Sequence, residues 1–120
     1  MADLSKLEGL TGLHFFQTQN TDNFVEQLTG NSNLRSLEFS DTDLTDAGLA
    51  HVARLSDLTD LKIEYSKRRI TMAGLKKLER LRVKTFRLAS DTRHTSSQLR
   101  SIFPDCKITT EVLPTEFFEN

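Results

Sequence analysis

Every 24 residues this chain repeats a short apolar signature. Leu10, Leu13 and Phe15 are followed at that spacing by Leu34, Leu37 and Phe39, and then by Leu58, Leu61 and Ile63. A fourth copy, Val83, Phe86 and Leu88, comes 25 residues after the third, and Cys106 with Ile108 reads as a partial fifth. Such a period constrains the fold more than any other feature. One short unit cannot bury its own apolar edge, so successive units must stack. The last three residues of each copy alternate apolar, polar, apolar, which is the period of a short strand. A second stripe follows each full copy: Phe24, Val25 and Leu28; Leu49, Val52 and Leu55; Leu75, Leu78 and Leu81; Leu99 and Ile102. Spacings of three and four put these residues on one face of a helix.

Length and composition agree with a single repetitive domain. The chain has 120 residues, of which 37% are hydrophobic and 28% charged, so an economical core has to be regularly patterned. Leucine supplies much of it, with eighteen residues. No run approaches the roughly 20 apolar residues of a membrane span, and the opening MADLSKLEGL lacks a basic segment followed by an apolar one. The expectation is a soluble, cytoplasmic chain with no membrane partner. The single cysteine, Cys106, has no second cysteine with which to form an internal disulfide or a multi-cysteine metal site. It reads as a small buried hydrophobe.

The best-preserved unit, LRSLEFSDTDLTDAGLAHVARLSD from Leu34 to Asp57, resembles the leucine-rich repeat, in the bacterial-type form of about 24 residues with a T-D-x-G-L turn before the helix. The resemblance implies an α/β fold, a right-handed β-α solenoid of about four repeats with parallel strands on the concave face and helices on the convex face. Thr45 is an N-cap candidate ahead of its helical stripe, and Thr71 repeats it without the acid that follows Thr45. Thr18, Thr42 and Ser66 occupy the position where many such repeats carry Asn or Cys to bond the turning backbone, and Asp91 departs from that pattern. About two extra residues around Lys67–Arg69 predict a bulged loop after the third strand. Residues 1–108 are assigned to the repeat domain and 109–120 to an acidic, apolar tail that either caps the array or binds a partner. Leu4 and Leu7 continue the register backwards, which leaves the first strand as an open edge.

In a leucine-rich repeat the residues between and after the strand leucines face the concave side, where partners bind. Read across the array, one column is His14, Glu38, Lys62, Arg87 and Lys107, spaced by about 4.8 Å from strand to strand. Phe16 and Tyr65, further along their strands, are candidate anchors, because aromatic and Arg side chains dominate interface hot spots. The bland reading of the same columns is a solvated face with neighbouring unlike charges. His14 beside Glu38 suggests a base with its orienting carboxylate, but no serine or cysteine nucleophile is placed with them by the pattern, and no Gly-rich phosphate loop occurs. The three histidines share no predicted face, so no metal site is assigned. The expectation is a module without catalytic residues or cofactor.

Charge is strongly divided along the chain. Residues 1–65 hold 4 Lys/Arg against 11 Asp/Glu, residues 66–107 hold 12 against 3, and residues 108–120 hold 0 against 3. The basic stretch includes Lys67, Arg68, Arg69, Lys76, Lys77, Arg80, Arg82 and Lys84. Its plainest role is a solvated outer face; the functional reading is an acidic protein partner, and nucleic acid or another polyanion is the second reading. The acidic remainder weighs against nucleic acid. The same asymmetry allows a monomer or weak self-association, acidic surface to basic surface.

Overall fold

A computed structural model describes residues 9–29, 33–64, 70–90 and 96–112. Strands and helices alternate as β1 (Gly12–Phe16), α1 (Thr21–Leu28), β2 (Ser36–Ser40), α2 (Asp46–Val52), β3 (Asp60–Glu64), α3 (Met72–Lys76), β4 (Thr85–Ser90), α4 (Ser96–Ile102) and β5 (Lys107–Val112). The five strands form one parallel sheet in chain order. This is an α/β chain in which each helix connects a strand to its neighbour. Leu4, Leu7, Ser66, the expected loop at Lys67–Arg69, Asp91 and the tail from Leu113 onward lie outside the described residues.

Register follows the repeat for four strands. Leu13 pairs with Leu37, Leu37 with Leu61, and Leu61 with Phe86, while Phe15, Phe39, Ile63 and Leu88 align two residues further on. Leu37, Phe39, Leu61, Ile63, Phe86 and Leu88 are buried in one cluster with Val25, Leu28, Leu49, Val52 and Leu75 from the helices. The helices therefore cover one face of the sheet, and the alternate residues are turned away from the core. Phe15 stacks on Phe39 with ring centroids 5.4 Å apart.

The fifth strand departs from the expected register. Phe86 pairs with Ile108, and Lys107 pairs with Thr85, so Cys106 precedes the strand and Lys107 lies two positions off the Arg87 column. The cause is a shortened connection. Leu99 in α4 is only nine residues from Ile108, whereas Leu49 in α2 is twelve from Leu61. Phe103 and Cys106 fill the space with buried side chains, and Phe103 packs on Phe86 at 4.8 Å between ring centroids. The strand also continues to Val112, so residues 109–112, expected in the tail, belong to the sheet.

The helices are too short to persist alone in water and depend on packing and on their caps. Thr45 caps α2 by accepting from the Ala47 N–H at 3.2 Å, and Thr71 caps α3 by accepting from the Gly74 N–H at 3.2 Å. Each cap is held in turn by the preceding helix. The Asp22 carboxylate of α1 accepts from the Thr45 N–H at 2.9 Å and from its hydroxyl, and Asp46 of α2 does the same for Thr71, with the N–H at 3.0 Å. These carboxylates lie against Gly48 and Gly74, where any Cβ would overlap them. That overlap explains the glycine of the T-D-x-G-L turn. Where Met72 replaces the acid, the next unit carries Gln98 at the glycine position.

The stripe Leu75, Leu78, Leu81 is also corrected in detail. Regular helix ends at Lys76, and the chain continues through three-residue turns in which the Leu78 N–H bonds the Leu75 carbonyl and the Leu81 N–H bonds the Leu78 carbonyl, both at 2.9 Å. Three residues per turn keep all three leucines buried on one side.

Candidate functional site

The sheet face opposite the helices, which none of the described helices covers, collects the polar row. His14, Glu38, Lys62 and Arg87 stand on adjacent strands in direct register, and Thr109 rather than Lys107 completes the row on β5. Strand pairing positions these residues; their chemistry then links them. His14 Nε2 lies 3.2 Å from Glu38 Oε2, and Lys62 Nζ lies 3.9 Å from Glu38 Oε1. Arg87 Nε donates to Glu64 Oε1 at 3.2 Å, and its terminal NH2 lies 3.9 Å from Glu111 Oε1. Glu38 thus lies between His14 and Lys62, and Arg87 between Glu64 and Glu111, each partly exposed pair contributing a fraction of a kcal/mol, while Lys62 and Arg87 are like charges side by side.

Ser40 is the residue missed from the sequence. Its hydroxyl lies 3.0 Å from His14 Nε2, on the next strand and two residues beyond Glu38. The expectation that no nucleophile-type residue accompanies His14 and Glu38 is therefore corrected. The repeat places Ser40 in the Phe16 column, one column beyond His14, and the contact arises because His14 leans across to it. The arrangement still differs from a triad: the same nitrogen faces both the carboxylate and the hydroxyl. A general base oriented by a carboxylate uses its two nitrogens for two different partners. With Nε2 shared, one proton serves either contact, which suits a structural clasp between β1 and β2.

Phe16 stands at the end of β1, 61% exposed and 6.0 Å from the His14 ring. It is the large apolar side chain left open among the described residues. Tyr65, the second expected anchor, lies outside the described residues. A shallow depression on this face, about 430 Å³, is bordered by Lys62, Arg87, Thr109 and Lys107. Lys107 lies on the same face, two residues before Thr109, in the Gly12, Ser36, Asp60 and Thr85 column.

The basic stretch divides between two places. Arg87 belongs to the sheet face. Lys76 and Lys77 end α3, Arg80 lies in the following turns, and Arg82 and Lys84 lead into β4, all exposed. Lys77 Nζ donates to the Asp46 carbonyl at 3.4 Å. Among the described residues none of these five cations forms an ion pair, in contrast to Lys62 and Arg87. Lys67, Arg68 and Arg69 lie outside the described residues. Where the chain enters β4 and β5, an open hollow of about 780 Å³ lies between residues 79–84 and 103–105.

Among the described residues, two groups have perturbed ionisation. Burial pushes the Cys106 thiol up, with Arg100 opposing it, and the thiol lies 3.5 Å from the Lys107 carbonyl. A buried, protonated thiol is the inert kind. For Asp43, burial acts upward, but hydrogen bonds from Thr21, Asn20 and its own backbone outweigh it and hold the carboxyl below its usual range. Among the described residues no three His, Cys, Asp or Glu side chains converge as metal ligands, and no helix is long and apolar enough to cross a membrane.

No protein-family model matches the chain, and no curated protein is similar to it. The functional reading therefore rests on the site itself.

Proposed function

We propose that the chain is a leucine-rich-repeat solenoid acting as a non-catalytic protein-interaction module, with the open sheet face as its main binding wall. The observation that carries this reading is the in-register row His14, Glu38, Lys62 and Arg87 with Phe16 exposed beside it. Such a row offers basic side chains around one carboxylate at a fixed strand spacing and one aromatic anchor, features that suit an extended protein surface. The repeat period and the one-strand-per-unit pairing support the family assignment, in which this face is the concave one. Capture from source-cell lysate with the wild-type chain, compared with Phe16→Ala combined with Lys62→Glu, tests the reading. Partners retained by the wild type and by Arg54→Glu but lost by the double variant support it; equal capture by all three refutes the sheet face as the wall.

The five cations without ion partners favour polyanion binding as the second reading. Its signature is a steep loss of affinity with salt. Binding to generic duplex DNA or RNA at physiological salt, weakened by Lys76→Glu with Lys77→Glu, would replace the first reading with this one. We expect no such binding, because residues outside 66–107 carry a net negative charge.

A further inference from the structure

We propose that the cavity where the chain enters β4 and β5 is a docking site for an acidic peptide segment of a partner protein, anchored by one apolar side chain. The inference rests on the reading of the chain as an interaction module and adds a second surface to it, distinct from the sheet face.

The cavity has a cause in the sequence. Between the first core residue of a helix and the strand residue in common register there are twelve steps from Val25 to Leu37 and from Leu49 to Leu61. There are eleven from Leu75 to Phe86 and nine from Leu99 to Ile108. The last two connections are thus shorter than the first two. In the second unit the Leu58 N–H is bonded to the Leu55 carbonyl; Val83, at the matching position, follows Leu81 directly by two residues and makes no such bond. The shortfall leaves an opening of about 780 Å³, within the roughly 300–1,000 Å³ range of pockets that enclose a ligand group.

Its walls have a divided chemistry. Leu81 and Val83, 7% and 6% exposed, and the exposed Pro104 supply apolar atoms, while Arg80, Arg82 and Lys84 stand around them exposed and without ion partners among the described residues. An apolar floor ringed by free cations complements a carboxylate-rich segment with one apolar residue. Net charge reinforces this choice: residues 66–107 hold 12 Lys/Arg against 3 Asp/Glu, a field that steers acidic partners to this end of the molecule. A nucleic acid suits the cavity less well. Phe103 is packed against Phe86 and 2% exposed, so it presents no ring face on which a base could stack. Glu79 and Asp105 in the lining can accept peptide N–H groups.

Fluorescence anisotropy of the full chain with a labelled twelve-residue peptide of Glu, Asp and Ser around one central Phe tests the proposal. Saturable binding is expected at about 50 mM salt and weaker binding at about 150 mM. Arg82→Glu with Lys84→Glu should weaken it about tenfold, the same peptide with Phe replaced by Ala should also bind several-fold more weakly, and Lys62→Glu on the sheet face should leave it unchanged. Amide shift mapping on the wild-type chain keeps the test independent of how the double variant folds: the largest changes should fall at residues 79–84 and 103–105. Absence of saturable binding, shifts centred elsewhere, or equal affinity of the Phe and Ala peptides overturns the proposal. Tighter binding of a single-stranded oligothymidine or of phosphatidylserine vesicles at the same residues overturns the choice of partner. Because Lys62→Glu and Phe16→Ala report on the sheet face alone, failure of the cavity and failure of the interaction wall give different results.

Discussion

Asp43 and Gly74 carry more of the fold than their size suggests. Asp43 accepts from the Asn20 and Thr21 backbone N–H groups, both at 2.9 Å, and so satisfies donors at the start of α1 that the left-handed Asn20 cap leaves without a side-chain acceptor. Asp43→Asn should cost about 1 kcal/mol at neutral pH. Since folding lowers the Asp43 pKa, its contribution is fully present above the ordinary carboxylate value of about 3.9 and is lost as pH falls through the folded-state value. Urea unfolding of wild type and variant should therefore show a stability gap that narrows with acidification; a gap that widens would refute the assignment. Gly74 makes a second test, because alanine is the better helix former by about 1 kcal/mol. Here Gly74→Ala should instead destabilise by about 1–3 kcal/mol, as its Cβ meets the Asp46 carboxylate. In an Asp46→Ala background the same change should be much less harmful, and additive effects in that double-mutant cycle would show that the two do not interact.

At the level of elements, the strands persist because their core residues align from one to the next. Leu61 lies between Leu37 and Phe86 in the sheet and is fully buried, so Leu61→Ala should cost about 2–5 kcal/mol in denaturant unfolding. A loss near zero would mean that β3 does not carry this register. Strand positions β1 to β4 were legible from spacing alone, since an apolar pair at constant period can face the core in only one register. β5 was not, because the connection before it is shorter and the alternation Cys106, Lys107, Ile108 fits two registers that differ by two residues and bury the same parity. The pairing of Phe86 with Ile108 decides between them, and Phe103 packs on Phe86 beside it. The row on the open face was legible as far as Arg87 for the same reason as the strands. The clasp between His14 and Ser40 was not, because it depends on how a side chain leans between columns, which period-2 arithmetic does not specify. The Asp22 and Asp46 contacts to the next cap were likewise hidden, as they join residues 23 and 25 apart through side chains.

Over the whole molecule, charge and register act on different properties. The division of 4 Lys/Arg against 11 Asp/Glu in residues 1–65 and 12 against 3 in residues 66–107 steers association and leaves the choice of backbone to the apolar repeat. Exposed charge pairs are weak and screened beyond about 8 Å at physiological salt, so we expect a monomer there and concentration-dependent association at low salt. Sedimentation velocity at about 20 mM and about 500 mM salt checks this; identical monomer peaks at both, up to high protein concentration, would remove charge asymmetry as a source of assembly.

All of these expectations depend on one arrangement, in which successive repeats lay down parallel strands whose equivalent residues stand side by side. Inter-strand backbone NOEs in an isotope-labelled sample measure it directly. The account predicts parallel-sheet contacts linking Leu13 with Leu37, Leu37 with Leu61, Leu61 with Phe86, and Phe86 with Ile108. An antiparallel NOE pattern, strands in another order, or Phe86 paired with Cys106 would contradict it.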